Sequence, residues 1–147
     1  MNHVEIFRGA RDMALVECRL SKVVMSENHD RQVIVLKEID GERKFPIIIG
    51  FLEVFAIHRF VNDEKPPRPL THELLGNVLD GLDISLERVV VTELKNMTFY
   101  ADLVLSQEGQ EVHIDSRPSD AIAMAVQRGA PILVDEEVIS QASQDFD

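Results

Sequence analysis

Between residues 86 and 116 the chain reverses direction twice with almost no residues to spare, and this constrains its fold more than any other stretch. "LERVVVTELKN" (86–96), "TFYADLVLS" (98–106) and "QEVHIDS" (110–116) are rich in β-branched residues and partly alternate apolar with polar. A tight turn at Asn96-Met97 joins the first two, and Gln107-Glu108-Gly109 turns the chain into the third. Runs this close together cannot be linked by crossovers, so they predict an antiparallel three-stranded meander.

The flanking segments extend the pattern. "ALVECRLSKVV" (14–24) and "QVIVLKEI" (32–39) read as strands. Asp40-Gly41 predicts a type I′ hairpin turn into "ERKFPIIIG" (42–50). Pro46 cannot donate to a ladder, so that arm belongs at a sheet edge or at a bend. The spacing of Leu52, Phe55, Ala56 and Phe60 predicts a helix over 51–61, and a proline-rich loop follows over 62–69. A second helix is predicted over 71–82, with Thr71 as N-cap and Leu74, Leu75, Val78 and Leu79 as its apolar face. The order β-β-β-α-α-β-β-β-α-β-α predicts an α+β fold. Its sheet is mostly antiparallel or a partly closed barrel, built from hairpins, with three to four helices packed on it. The expected organisation is a single domain over 1–147, with a core at about 14–142 and an acidic C-terminal tail.

Composition narrows function. The net charge is −11, from 15 basic and 26 acidic residues, which opposes a broad electrostatic grip on nucleic acid. Residues 132–147 supply −5 of it and contain no Lys or Arg. No apolar run approaches the ~20 residues that span a bilayer, so no membrane partner is expected. The N-terminus lacks the apolar core of a signal peptide, and a cytoplasmic protein is expected. The single cysteine, Cys18, lies in a strand-like run and reads as a buried, inert thiol. There is no Rossmann glycine fingerprint, P-loop, paired CxxC or GxSxG motif.

Chemistry concentrates in "IDSRPSDAIAMAVQRGAP" (114–131). Pro118 suits the first position of a helix, Ser116 is placed to cap it, and Asp120 complements the dipole. Ala121, Ala123 and Ala125 would let that helix lie close to a sheet, while Gly129 and Pro131 end it. Capping leaves Arg117 and Asp115 unexplained. A helix N-terminus beside a guanidinium also suits a phosphate.

"RKFPIIIGFLEVFAI", "RPLTHELLGNVL", "TFYADL" and "IDSRPSDAIAMAVQRGAPILV" together resemble the bifunctional nuclease domain family of bacteria and plants. The four blocks stand in the family's order and span roughly residues 14–142. The resemblance implies an α+β domain acting on both RNA and DNA; it does not supply a settled catalytic set.

Hydrolysis of a phosphodiester needs a positioned water, charge stabilisation at phosphorus and help for the leaving oxygen, which carboxylate-held metal ions commonly supply. The family blocks contain Glu53, Glu73, Asp102, Asp115 and Asp120, with His58 and His72 as candidates for proton transfer and Tyr100 as a candidate for base stacking. The expected constellation joins His72, Glu73, Asp115 and Asp120 as catalytic groups. Asp115 and Asp120 would hold Mg²⁺ or Mn²⁺, and Arg117, Ser116 and Ser119 would bind phosphate. The alternative is a non-catalytic homo-oligomeric module, a homodimer or larger, recognising an anionic ligand or a protein partner. Exposed edges near Pro46 and at the N-terminal arm would suit such association.

Overall fold

A computed structural model describes residues 4–6, 14–27 and 31–144, the first three as backbone only. The strands are β1 (Val4–Ile6), β2 (Leu15–Val24), β3 (Gln32–Glu38), β4 (Lys44–Ile49), β5 (Ser85–Lys95), β6 (Thr98–Gln107), β7 (Gln110–Ser116) and β8 (Ile132–Asp135). The helices are α1 (Phe51–Val61), α2 (Thr71–Gly81), α3 (Pro118–Arg128) and α4 (Glu136–Ser143). All the strands form one open sheet, ordered β1-β7-β6-β5-β8-β2-β3-β4. The fold is therefore α+β with four helices among the described residues, and of the two sheets expected it is the open one, not a barrel.

The β5–β6–β7 meander follows from its turns. Asn96 and Met97 both have positive φ (50° and 65°), as do Glu108 and Gly109 (50° and 81°), the geometry that matches strand twist in two-residue hairpins. Asp40-Gly41 behaves differently. Neither residue has positive φ, and β3 and β4 are joined by the wider connection 39–43. Arg43 explains the change. Its backbone N–H donates to Glu38 Oε2 at 3.0 Å, and its carbonyl accepts from Glu38 N–H at 3.0 Å. Its guanidinium also bonds Glu38 and Glu136, which closes the loop by side-chain pairing. Pro46 lies on β4, an edge strand, as its missing N–H requires. β1, unmarked by any sequence signal, pairs with β7 and forms the other edge.

β8 enters the sheet between β5 and β2, parallel to β5 and antiparallel to β2. The crossover from β7 to β8 is α3. Ser119 and the run Ala121–Ala125 are all buried, so α3 is enclosed nearly all round and sits at the centre of the core. Against it pack Val89 and Val91 of β5, Ala101 and Leu103 of β6, and Val54 and Ile57 of α1. Pro118 stands at the helix start and Gly129 (φ 65°) at its end, both as expected.

Two capping expectations fail. The α2 N-cap is Leu70, not Thr71, and the α3 N-cap is Arg117, not Ser116. Ser116 Oγ instead donates to the Arg117 carbonyl at 2.8 Å. The apolar face of α2 is also only partly used: Leu79 is buried, whereas Leu74, Leu75 and Val78 are exposed. The acidic end is folded as far as α4, with Val138 and Ile139 in the core and Asp135 capping the helix through Glu137 N–H.

Cys18 is buried, and burial pushes its thiol up to about 11. At pH 8 its alkylation by iodoacetamide should be roughly 100-fold slower in the native protein than in denaturant, because the thiolate is the reactive form. A native rate equal to the denatured one would refute that environment. Ala123 is fully buried. Ala123→Leu should therefore destabilise by about 1–3 kcal/mol in urea unfolding, since the enclosed helix has no room for the added carbons.

Candidate active site

The site forms where the first turn of α3 meets α1 and α2. Arg117 ends the run out of β7, and Asp120 lies one turn further on. Arg117 Nε donates to Asp120 Oδ2 at 2.9 Å, and Nη2 donates to Oδ1 at 3.3 Å. The same Oδ1 lies 2.9 Å from His72 Nε2, in the first turn of α2. The His72 and Arg117 contacts hold the Asp120 carboxyl down to about 2, against an ordinary value of 3.8. Asp120 is thus an acceptor-only carboxylate at neutral pH, so the proton on Nε2 belongs to His72. Neutral His72 is fixed as the Nε2–H tautomer, and its Nδ1 keeps a lone pair.

His72 is held from three further directions. Gln127 Nε2 donates to its carbonyl at 2.9 Å, the Phe60 ring meets the imidazole edge-on at 6.3 Å, and its side chain is largely buried. Gln127 is seven residues after Asp120, two helical turns along the same face. That spacing was the available sign that it belonged to the site, and sequence reasoning passed over it.

Arg117 is the exposed member, with its side chain 62% accessible. Its Nη1 also donates to Glu53 Oε1 at 3.3 Å, in the first turn of α1. Gly50, the α1 N-cap, leaves space for that carboxylate; a Cβ there would collide with it. Ser119 is only 6% exposed. It lines a pocket of about 630 Å³ together with Arg117. A hydroxyl next to a helix N-terminus and an exposed guanidinium suits an anion.

Not every expected residue reaches this point. Glu73 turns toward Arg59, whose Nη2 donates to its two oxygens at 3.3 and 3.4 Å. Asp115 is separated from Asp120 by the sheet itself. In the β6–β7 register Asp115 pairs with Asp102, and Ile114 pairs with Leu103. Leu103 and Ile114 face the core under α3, so Asp102 and Asp115 project from the opposite face. His113 shares that outer face, with Nδ1 3.7 Å from Asp102. The expected Asp115–Asp120 metal pair therefore does not form. Both Asp120 oxygens are already engaged, and no group of three or more His, Cys, Asp or Glu converges among the described residues. This donor set does not fit a preformed Mg²⁺ or Mn²⁺ site. The His58 carbonyl accepts from Asn62 Nδ2 at 2.8 Å and His58 is not part of the cluster, and Tyr100 lies on β6 away from it.

An α+β sheet that carries an Arg–Asp–His cluster at the N-terminus of a buried crossover helix is the class defined by these features. A family model for the bifunctional nuclease domain matches residues 34–147, and the chain belongs to that family. An uncharacterized protein of Mycobacterium tuberculosis is 37% identical over 126 residues, covering 86% of this chain and 75% of that protein. Bifunctional nuclease 2 of Arabidopsis thaliana is 31% identical over 107 residues, covering 70% of this chain and 32% of its own length. Bifunctional nuclease 1 of Oryza sativa subsp. japonica is 24% identical over 135 residues, covering 89% of this chain and 41% of its own. This chain spans less than half the length of those plant relatives.

Because the folded Asp120 pKa lies below its unfolded value, its stabilising contribution is present above pH ~3.8 and is lost as pH falls through ~2. Denaturation midpoints measured from pH 5 to pH 2 should fall more steeply in the wild type than in Asp120→Asn. Parallel curves would show that the carboxylate is not held by His72 and Arg117 in solution.

Proposed function

We propose that the chain is a nuclease that hydrolyses phosphodiester bonds in RNA and DNA with little sequence preference, working at the Arg117–Asp120–His72 cluster. The observation that carries this reading is the continuous contact of those three side chains, with the exposed guanidinium at one end and a basic imidazole nitrogen at the other. A substrate phosphate meets Arg117, the Ser119 hydroxyl and the unpaired N–H groups of the first α3 turn. It displaces Glu53, whose contact with an exposed guanidinium is the weaker of the two and is worth little in water. His72 Nδ1 accepts the proton of the attacking water, while Asp120 orients the ring and stabilises the imidazolium that results. Arg117 offsets the charge that develops on the phosphoryl oxygens as the P–O bond to the leaving nucleoside oxygen breaks, and that oxygen takes its proton from solvent water while the imidazolium returns its own to solvent. The names of the plant relatives support this reading, together with this chain's own blocks that resemble the family. Glu73 acts through Arg59 rather than on water. Divalent metal has no step in this scheme.

The second reading is a non-catalytic module that binds an anionic ligand at the same residues. The net charge of −11 favours it, because an acidic protein does not gather nucleic acid readily. Either reading includes a cytoplasmic protein that self-associates, through the open β4 edge and the exposed leucines of α2. No described helix is long and apolar enough to cross a membrane.

Cleavage of labelled RNA and single-stranded DNA should co-elute with the protein through size exclusion. His72→Ala and Arg117→Ala should each lower it by about 10²-fold while far-UV circular dichroism stays that of the wild type, with unfolding midpoints falling as the Asp120 contacts are lost. Activity that separates from the protein peak would leave the binding module standing. Mn²⁺ and EDTA titrations of the same fractions test the metal expectation, and a strict requirement for Mn²⁺ would overturn the metal-free scheme.

A further inference from the structure

We propose that the pocket beside Arg117 receives one unpaired nucleobase, so that the substrate of this site is single-stranded nucleic acid with a base lifted from its stack. This rests on the phosphate-binding reading above and adds to it the part of the substrate that supplies affinity.

The pocket lies between β4, the β5–β6 hairpin and the start of α3, and its volume of about 630 Å³ falls in the usual range for small-molecule sites. Its polar groups are Arg117 and Ser119 with Glu53 beside them at one end, and Gln141 of α4. Its walls are apolar, formed by Pro46, Ile47, Ile49, Leu94 and Phe99. Met97 stands at its rim on the hairpin tip and is 93% exposed. An exposed thioether held on a rigid turn is a contact surface for a flat apolar face rather than a core residue. One end thus suits a phosphate, and the adjoining space suits a planar, weakly polar body.

Charge gives the second argument. Duplex binders obtain most of their affinity by neutralising several phosphates along a basic face. This chain carries −11, and its one guanidinium in the site is already shared with two carboxylates. The phosphate contact alone is therefore weak, and burial of a base is the remaining source of binding energy. A base inside a duplex cannot enter such a pocket without being unpaired and unstacked, which favours single strands. The apolar walls carry few groups that read base edges, so preference among bases is slight.

The test is fluorescence anisotropy in EDTA with three probes of about 12 nucleotides: a single strand, its duplex, and an abasic strand with the same phosphates. The single strand should bind at least ~10-fold more tightly than the other two, with a log–log salt slope near −0.7 for about one phosphate contact. Met97 and Thr98 are exposed, so Met97→Ala and Thr98→Trp leave the fold intact. Thr98→Trp, which plugs the pocket, should abolish the preference, and Met97→Ala should reduce it severalfold. Equal binding of all three probes, no binding of any, or a preference that survives Thr98→Trp overturns the proposal. Arg117→Ala separates the two readings. If it changes nothing while Thr98→Trp removes the single-strand preference, the phosphate site fails and the base pocket stands.

Discussion

The close seat of α3 on the sheet is the contact on which the rest of this structure depends. Ala121 and Ala125, one turn apart and both buried, place little bulk between helix and strands, so α3 sits close on β5 and β6. That closeness fixes where the first turn of α3 ends up. Asp120 then reaches His72 on α2, Arg117 reaches Glu53 on α1, and Gln127 reaches the His72 carbonyl. Larger residues along this face would lift the helix and open every one of those contacts. The packing of a hydrophobic core and the geometry of a polar cluster are here one constraint.

Two arginines show how similar ion pairing serves different ends. Arg43 and Arg117 each lie between two carboxylates. Arg43 bonds Glu38 at 2.6 Å and Glu136 at 2.8 Å, and so ties the β3–β4 connection to the start of α4. Arg117 bonds Asp120 at 2.9 Å and Glu53 at 3.3 Å, and most of its side chain stays in solvent. Short contacts on both sides make the first a clamp. One firm contact, one looser contact and an adjoining pocket make the second available to a ligand.

The failure of the Asp115–Asp120 pair is instructive because the needed signal lay in the sequence. Val112, Ile114 and Ser116 alternate with His113 and Asp115, so one set must face the helix and the other must face away. Proximity along the chain suggested a cluster, but period two in a strand separates neighbours by the thickness of the sheet. Glu73 illustrates a different gap. Its position beside His72 on α2 could be read directly, yet its partner Arg59 comes from α1 across the proline-rich loop, and nothing local forecast that pairing.

Local chemistry was enough to determine the strands of the meander, the start of α3 at Pro118, its end at Gly129 and the buried thiol of Cys18, and it narrowed β4 to an edge or a bend. Each follows from a residue's own backbone freedom, missing N–H or polarity, and these act over a few positions. Tertiary structure alone decided that β8 enters beside β5, that β1 closes on β7, that Leu74 and Leu75 of α2 stay at the surface, and that His72 rather than Asp115 meets Asp120. Those outcomes depend on which face of the sheet each element covers, and that is settled by competition for one shared core rather than by any short stretch of chain.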